Sequence, residues 1–366
     1  MSEAARPPDG RGRNTGSAPS EVRAYAALDL GTNNCRLLIA SPTPGGFRIL
    51  DAFSRIVRLG DGLAHTGRLD AAAMDRALDA LKVCADRIRR RGVPQVRAVA
   101  TQACRSAANG VDFIARVEAE TGLRLHIISP REEARLSVAG CVTLLDRDME
   151  AALVVDVGGG STELSWVDLS ELIHTGGGRM PHPARLPIKA WLSIPIGVVT
   201  LADRFPEDEA NRAAWFQVMV DAVKAEIGAF TRADDMRPIF EAGRAHLIGT
   251  SGAITSLAGL HLGLRRYERS RVDGLWMRRA DCEAAAQRLI QLSPRERAAQ
   301  PCIGPDRADL VLAGAAILQA VQELWPCERV RVADRGLREG LLMSLMAKPP
   351  RRRRRRTGRF PFGPVQ

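Results

Sequence analysis

Two strings in this 366-residue chain place an aspartate at the end of an apolar run and follow it with a glycine turn. One is ALDLGTNN, with Asp29, Gly31, Thr32 and Asn33; the other is VVDVGGGSTEL, with Asp156, Gly158, Gly159, Gly160, Ser161 and Thr162. Such turns expose successive backbone N–H groups in a concavity that suits an anion, and glycine lets phosphate oxygens come close. A single turn of this kind reads better as an ordinary tight hairpin. The repetition favours two phosphate loops facing each other.

Asp156 and Glu163 bracket the triglycine turn. Carboxylates beside a phosphate cradle repel it unless a cation intervenes. Mg²⁺, which takes oxygen ligands and bridges to phosphates, is the expected ion, with Asp156 and Glu163 as its ligands; the alternative is a Glu163 that points to solvent.

In SPREEARL, Ser129 as N-cap, Pro130 at the first helical position and Glu132 at the third spell a capping box. That leaves Glu133 without a structural task. It can take a proton from an attacking water at a cleft or simply complement the helix dipole, and the string does not separate the two. In ATQACRSAANG, Arg105 follows a short buried strand, where a guanidinium can clamp phosphate oxygens. The chain is rich in arginine, so a solvated surface role is the competing reading. In GTSGAITSLAG, Gly249, Ser251 and Gly252 form a strand-to-helix turn suited to an anion or to part of a nucleotide; a plain turn reads as well.

The elements carrying these residues repeat. Tyr25 onward reads as a hairpin, with a third strand over Phe47–Leu59, a helix over Ala71–Arg91 and a strand over Val96–Ala100. The run from Ala151 restates that opening at an offset that lays Asp156 on Asp29, Gly158 on Gly31 and Glu163 near Arg36. Two repeated lobes are expected. The second continues through a surface loop over 174–189, a strand over Trp191–Pro195, a helix over 207–232, a strand ending at Gly249, and helices near 252–262, 280–291, 306–325 and 335–346. The expected division is an N-terminal extension over 1–22, a lobe over 23–147, a lobe over 148–347 whose last helix packs back on the first, and a tail over 348–366.

A hydrophobic fraction of 45% and a charged fraction of 26% suit a globular protein with a sizeable core. The formal net charge of +11 belongs mostly to the tail, where Lys348, Arg351 to Arg356 and Arg359 stand without an acidic residue. No apolar run approaches the ~18 residues of a membrane span. The 7 cysteines are scattered and lack metal-ligand spacing, so they read as small buried apolar residues in a reducing compartment. With no secretory core near the N-terminus, the cytoplasm is expected. The absence of a Gly-x-Ser-x-Gly elbow, a Walker loop or histidines at metal-ligand spacing disfavours serine esterases, P-loop NTPases and zinc hydrolases.

Seven motifs in order, ALDLGTNN, ATQACRSAANG, SPREEARL, VVDVGGGSTEL, IPIGVVTLADRF, GTSGAITSLAG and ADRGLREGLL, resemble the exopolyphosphatase / guanosine pentaphosphate phosphohydrolase family over residues 24–346. The resemblance implies an α/β fold: two ribonuclease-H-like lobes of the actin-like ATPase superfamily, with mixed sheets around an interdomain phosphate-binding cleft. It implies hydrolysis of the terminal phosphate of polyphosphate or guanosine pentaphosphate, with Glu133 as general base, Asp156 and Glu163 at Mg²⁺, Arg105 on phosphate, and Asp29, Gly31, Asn33, Gly158, Gly159, Gly160 and Ser161 in the two loops. A homodimer is implied as well. Two departures stand out. Ser129-Pro130-Arg131 replaces the Ser-Gly found before the Glu-Glu pair in many members, and the chain ends soon after GLREG, without the helical domains with which long members extend their polyphosphate path.

Two other functions fit parts of the sequence. A superfamily ATPase or kinase would use the same loops on ATP. A non-catalytic role would rest on Arg351 to Arg356, which suit weak binding of polyphosphate, nucleic acid or another anionic polymer through counterion release.

Overall fold

The computed structural model describes residues 23–44, 46–173, 183–228 and 236–347. The extension at 1–22, most of the expected 174–189 loop, and the arginine tail lie outside the described residues.

The first half builds strands β1 (Tyr25–Leu30), β2 (Asn34–Thr43), β3 (Gly46–Ile56), β4 (Gln95–Ala100) and β5 (Leu125–Ile127) into a sheet ordered β3-β2-β1-β4-β5. β1 pairs antiparallel with β2 and parallel with β4, and β4 pairs parallel with β5. The second half builds β6 (Ala151–Val157), β7 (Thr162–Asp168), β8 (Ile188–Ile194), β9 (Ala245–Thr250), β10 (Trp276–Arg278) and β11 (Arg329–Ala333) into the order β10-β11-β9-β6-β7-β8. Without the edge strand β10 the two orders are the same, with the same parallel and antiparallel pairings. The repeat read from two turns therefore extends through five strands of each half.

Several boundaries differ from expectation. The third strand stops at Ile56, because Val57 and Arg58 turn to donate to Asn33 O at 2.9 and 3.1 Å. The strand expected at Trp191 begins at Ile188, pairing with Val167 across a bulge. The helix expected from 207 begins at Arg212. The helix expected from 306 begins at Val311, since Asp306 to Asp309 form a turn. Strands β5, β10 and β11 are additions. Each is at most five residues, too short to show a period.

The cores follow the sheets. Leu28, Leu30, Leu37 and Ile39 meet Leu78, Leu81 and Cys84 of the helix Ala71–Arg90 behind the first sheet. Val155, Leu164 and Leu247 meet Ile317, Leu318 and Val321 of the helix Val311–Leu324 behind the second. On the opposite faces lie the helix Pro130–Cys141, which leaves β5, and the helix Leu337–Met346, which leaves β11. These two helices cross at glycines. A methyl on Gly140 would stand 2.0 Å from Gly336 O, and one on Gly340 would stand 2.0 Å from Leu136 O, so glycine alone permits the approach. Leu341 and Leu342 of the last helix join Tyr25, Leu38 and Val99 of the first half in one cluster.

All seven cysteines are buried and free of disulfides. Among the described residues no helix is long and apolar enough to cross a membrane.

Candidate active site

The parallel pairing sets the C-terminal ends of β1, β4, β6, β9 and β11 around one cleft of about 350 Å³. Ligands bind at that end of α/β sheets because the connecting turns converge there. Each hairpin is closed by one short bond: Gly31 N donates to Asn34 O at 2.8 Å, and Gly158 N to Ser161 O at 2.9 Å.

A following segment fixes each loop from outside. The carbonyl of Thr32 accepts from Gly60 N at 2.9 Å and that of Asn33 from Val57 N at 2.9 Å. The carbonyls of Gly158 and Gly159 accept from Val198 N at 3.0 Å and Val199 N at 2.8 Å. With carbonyls drawn away from the cleft, the loops present amides to it. The two loops also touch: a methyl on Gly159 would lie 3.0 Å from Thr32 Cβ and 3.1 Å from Asn33 N.

Asp29 stands across the hairpin from Arg36, and Asp156 across from Glu163. Burial raises Asp29 to about 6 against the opposing charges of Arg36 and Arg338, and its Oδ1 has no hydrogen-bond partner. Burial also raises Asp156, although Ser137 Oγ donates to its Oδ2. Glu163 is pushed up to about 7, first by burial and then by the charge of Asp156; Ser161 Oγ and Ser193 Oγ, both 2.8 Å from its Oε1, oppose the shift.

Glu133 enters the cleft from the first turn of the helix Pro130–Cys141. Ser129 caps that helix by accepting from Glu132 N at 3.2 Å, but the expected capping box is only half made, because the Glu132 carboxylate binds Arg97 of β4 instead. Burial, and then the charge of Glu163, raise Glu133 well above the usual carboxylate range, and Arg105 works against both.

Of the residues singled out by sequence, Asp29, Gly31, Thr32, Asn33, Glu133, Asp156, Gly158, Gly159, Gly160, Ser161, Ser251 and Gly252 line the cleft. Four do not. Arg105 stands behind the wall, donating to Ile128 O at 2.8 Å, Glu133 Oε2 at 3.1 Å and Gln102 Oε1 at 2.9 Å. Glu163 is buried behind Asp156. Thr162 spends its hydroxyl on Ile196 O at 2.7 Å, and Gly249 lies inside β9 beneath Ile254. For Thr162 and Gly249 the corrected role is structural.

The wall also holds residues the sequence reading passed over: Gln102, Arg36, Tyr267, Arg307 and Arg338. Arg36 and Arg307 flank Gly252, whose added methyl would lie 3.8 Å from Arg36 Nη2 and 3.7 Å from Arg307 Cζ. Arg36, Arg307 and Arg338 make no salt bridge among the described residues, and burial beside Arg338 lowers the Arg36 pKa. Unpaired guanidiniums around a helix start are arranged for an anion. One of these residues had a signal, since Arg36 is the hairpin partner of Asp29; Ser137, which donates to Asp156, had another, lying one helical turn beyond Glu133 on the same face.

Whether Mg²⁺ suits these residues can be read from the donors. Among the described residues no three His, Cys, Asp or Glu side chains gather as a ligand cage. Mg²⁺ does not require one, since it is commonly held by one or two carboxylates together with water and substrate phosphates. Asp156 on the wall and the orphaned Asp29 Oδ1 meet that need.

The sequence model of the Ppx/GppA phosphatase family matches residues 38–349. A crystal structure of the Aquifex aeolicus member of the Ppx/GppA family is 27% identical, covers 88% of this chain and 97% of its own, and superposes with a TM-score of 0.69. An exopolyphosphatase-like protein at 28% identity covers 88% and 98% with a TM-score of 0.74. An exopolyphosphatase from Cytophaga hutchinsonii at 25% identity covers 88% and 97% with a TM-score of 0.73.

Proposed function

This chain belongs to the Ppx/GppA phosphatase family, a membership that supports phosphoanhydride hydrolysis, and from that premise we propose that it removes the terminal phosphate of inorganic polyphosphate, guanosine pentaphosphate or both. The observation that carries the reading is the placement of Glu133, a buried carboxylate of raised pKa, in the wall of the same cleft that the two glycine loops line.

In the proposed reaction the amides of the two loops and the unpaired Arg36, Arg307 and Arg338 hold the phosphate groups. Glu133 accepts a proton at its carboxylate from water aligned with the terminal phosphorus, and water oxygen joins phosphorus as the bridging bond breaks. The products are inorganic phosphate and a chain one phosphate shorter. Most of the rate gain in such transfers comes from positioning and charge, which the fixed loops provide. Asp156, with Asp29, would hold Mg²⁺, which supplies charge neutralisation at the phosphate oxygens when bound. Glu163, held by Ser161 and Ser193, supports Asp156 from behind. Arg105 orients Glu133 and does not clamp phosphate itself. Tyr267, the aromatic side chain on the wall, offers a face for a base and keeps guanosine pentaphosphate among the substrates. A homodimer and a cytoplasmic location belong to the same reading.

The test is phosphate release by the purified protein with Mg²⁺ from long polyphosphate, tripolyphosphate, guanosine pentaphosphate and ATP. Release from the first three above that from ATP supports the proposal and ranks the substrates. Turnover confined to ATP with transfer to an acceptor makes the chain a kinase or ATPase.

A further inference from the structure

We infer that Gln102 is a positioning residue that links the seating of the triglycine turn to the orientation of Glu133, acting through Arg105. The inference rests on the reading of Glu133 as the general base. Gln102 opens the five-residue helix Gln102–Ser106 directly after β4. Its stem lies under the turn of the other half of the molecule: a methyl on Gly160 would stand 2.8 Å from Gln102 Cγ.

Its amide is held at both ends. Nε2 donates to Ser106 Oγ at 2.9 Å, while Oε1 accepts from Arg105 Nη2 at 2.9 Å. Only this orientation works, because the flipped amide would turn its NH₂ donors toward a guanidinium that has no acceptor. Arg105 then has one nitrogen on Gln102 and the other shared between Ile128 O and Glu133 Oε2, at 2.8 and 3.1 Å. A planar guanidinium fixed at two corners has little freedom at the third, so the Gln102 bond sets the angle at which Arg105 meets Glu133.

The contact with Gly160 gives the link its purpose. The triglycine turn belongs to one half, and Gln102, Arg105 and Glu133 to the other. Movement of the turn away from Gln102 removes the packing that holds the amide in place, and with it one support of Arg105. The proposed base is thus best oriented when the turn that holds the phosphate is seated. Gln102 makes no proton transfer of its own.

The experiment uses the full chain and compares Gln102→Met, which keeps the length of the side chain and loses its amide, with Gln102→Glu, which keeps an acceptor for Arg105. For Gln102→Met we expect kcat on polyphosphate to fall about tenfold with KM within about twofold, since orientation of a reacting group acts on turnover, and the melting temperature to stay unchanged. For Gln102→Glu we expect most of kcat to return and KM to rise, because a carboxylate now faces phosphate. Wild-type kcat in Gln102→Met, or an equal loss of kcat in both variants, overturns the inference. A crystal structure of Gln102→Met supplies a readout that does not depend on turnover. Arg105 turned away from Glu133 supports the link, and an unchanged 3.1 Å contact refutes it. If the wild-type protein releases no phosphate, the proposed function has failed, and the crystal structure alone decides whether Gln102 positions Arg105.

Discussion

Arg36 and Glu163 occupy equivalent places in the two sheets, each directly across the first hairpin from an aspartate, Asp29 in one half and Asp156 in the other. The repeated frame therefore carries opposite charges at the same position. In the first half the charge of Arg36 opposes the burial that raises Asp29, and its guanidinium remains available to phosphate. In the second, two carboxylates face each other, and the charge of Asp156 adds to the burial that raises Glu163.

From this asymmetry follows a difference between two substitutions. Arg36→Ala should raise KM for polyphosphate by about tenfold or more, as expected for loss of a charge-assisted contact, and should make binding less sensitive to salt. Glu163→Gln should leave the salt dependence intact and shift the Mg²⁺ concentration needed for activity upward. Steady-state kinetics at several NaCl and MgCl₂ concentrations distinguish the two; identical effects would remove the division of labour.

The pH profile should reflect Glu133. A general base must be ionised, and burial holds this one above the ordinary 4.5 of a glutamate. Activity should therefore fall on the acid side at a pH above the usual carboxylate range. Arg105 lowers the Glu133 pKa, so Arg105→Met should move that limb further up. A limb that stays in place would show that Arg105 does not act on Glu133.

Stability should also depend on pH and metal. Asp29 rises from 3.8 to about 6 and Glu163 from 4.5 to about 7 on folding. A raised acid binds its proton more tightly in the folded state, so its contribution is fully present below the unfolded value and lost as pH climbs through the folded one. Without Mg²⁺ the melting temperature should decline between about pH 4 and pH 7 from these groups, and Mg²⁺ should raise it more at pH 8 than at pH 5. Thermal melts across that range provide the check. Equal stabilisation at both pH values would detach the ion from these carboxylates.

Gly340→Ala should act on the site from a distance. The added methyl would stand 2.0 Å from Leu136 O, in the helix that carries both Glu133 and Ser137. Overpacking of this kind costs about 1–3 kcal/mol, enough to lower the melting temperature by several degrees, and the shifted helix should reduce kcat as well. Full activity with an unchanged melting temperature would contradict the close crossing of the two helices.

Much of this arrangement was legible in the sequence because it is written locally. Aspartate, glycine turn and apolar flanks lie within a dozen residues of each other, and their recurrence at Asp156 announced the repeat before any long-range contact was known. Glu133 stood out because Ser129 and Pro130 explain the helix start and leave one acid over, but the string left a base and a dipole role equal, and only the family resemblance chose between them. Arg105 was misplaced because its partners, Ile128 O and Glu133, are distant in sequence and turn it away from the cleft. Arg307 and Arg338 were not found because many arginines surround them and only the fold brings them beside Arg36. Thr162 and Gly249 sat inside otherwise informative motifs, where a strand hydroxyl and a packing glycine look the same as a ligand contact.

The most direct test of the central claim compares wild-type protein with Glu133→Gln, measuring both phosphate release and polyphosphate binding in the presence of Mg²⁺. The account predicts that kcat falls by about 10²–10⁴-fold, the range attributed to a positioned base, while the dissociation constant for polyphosphate changes little. Turnover within a few-fold of wild type would contradict it, because the proton of the attacking water would then be leaving by another route.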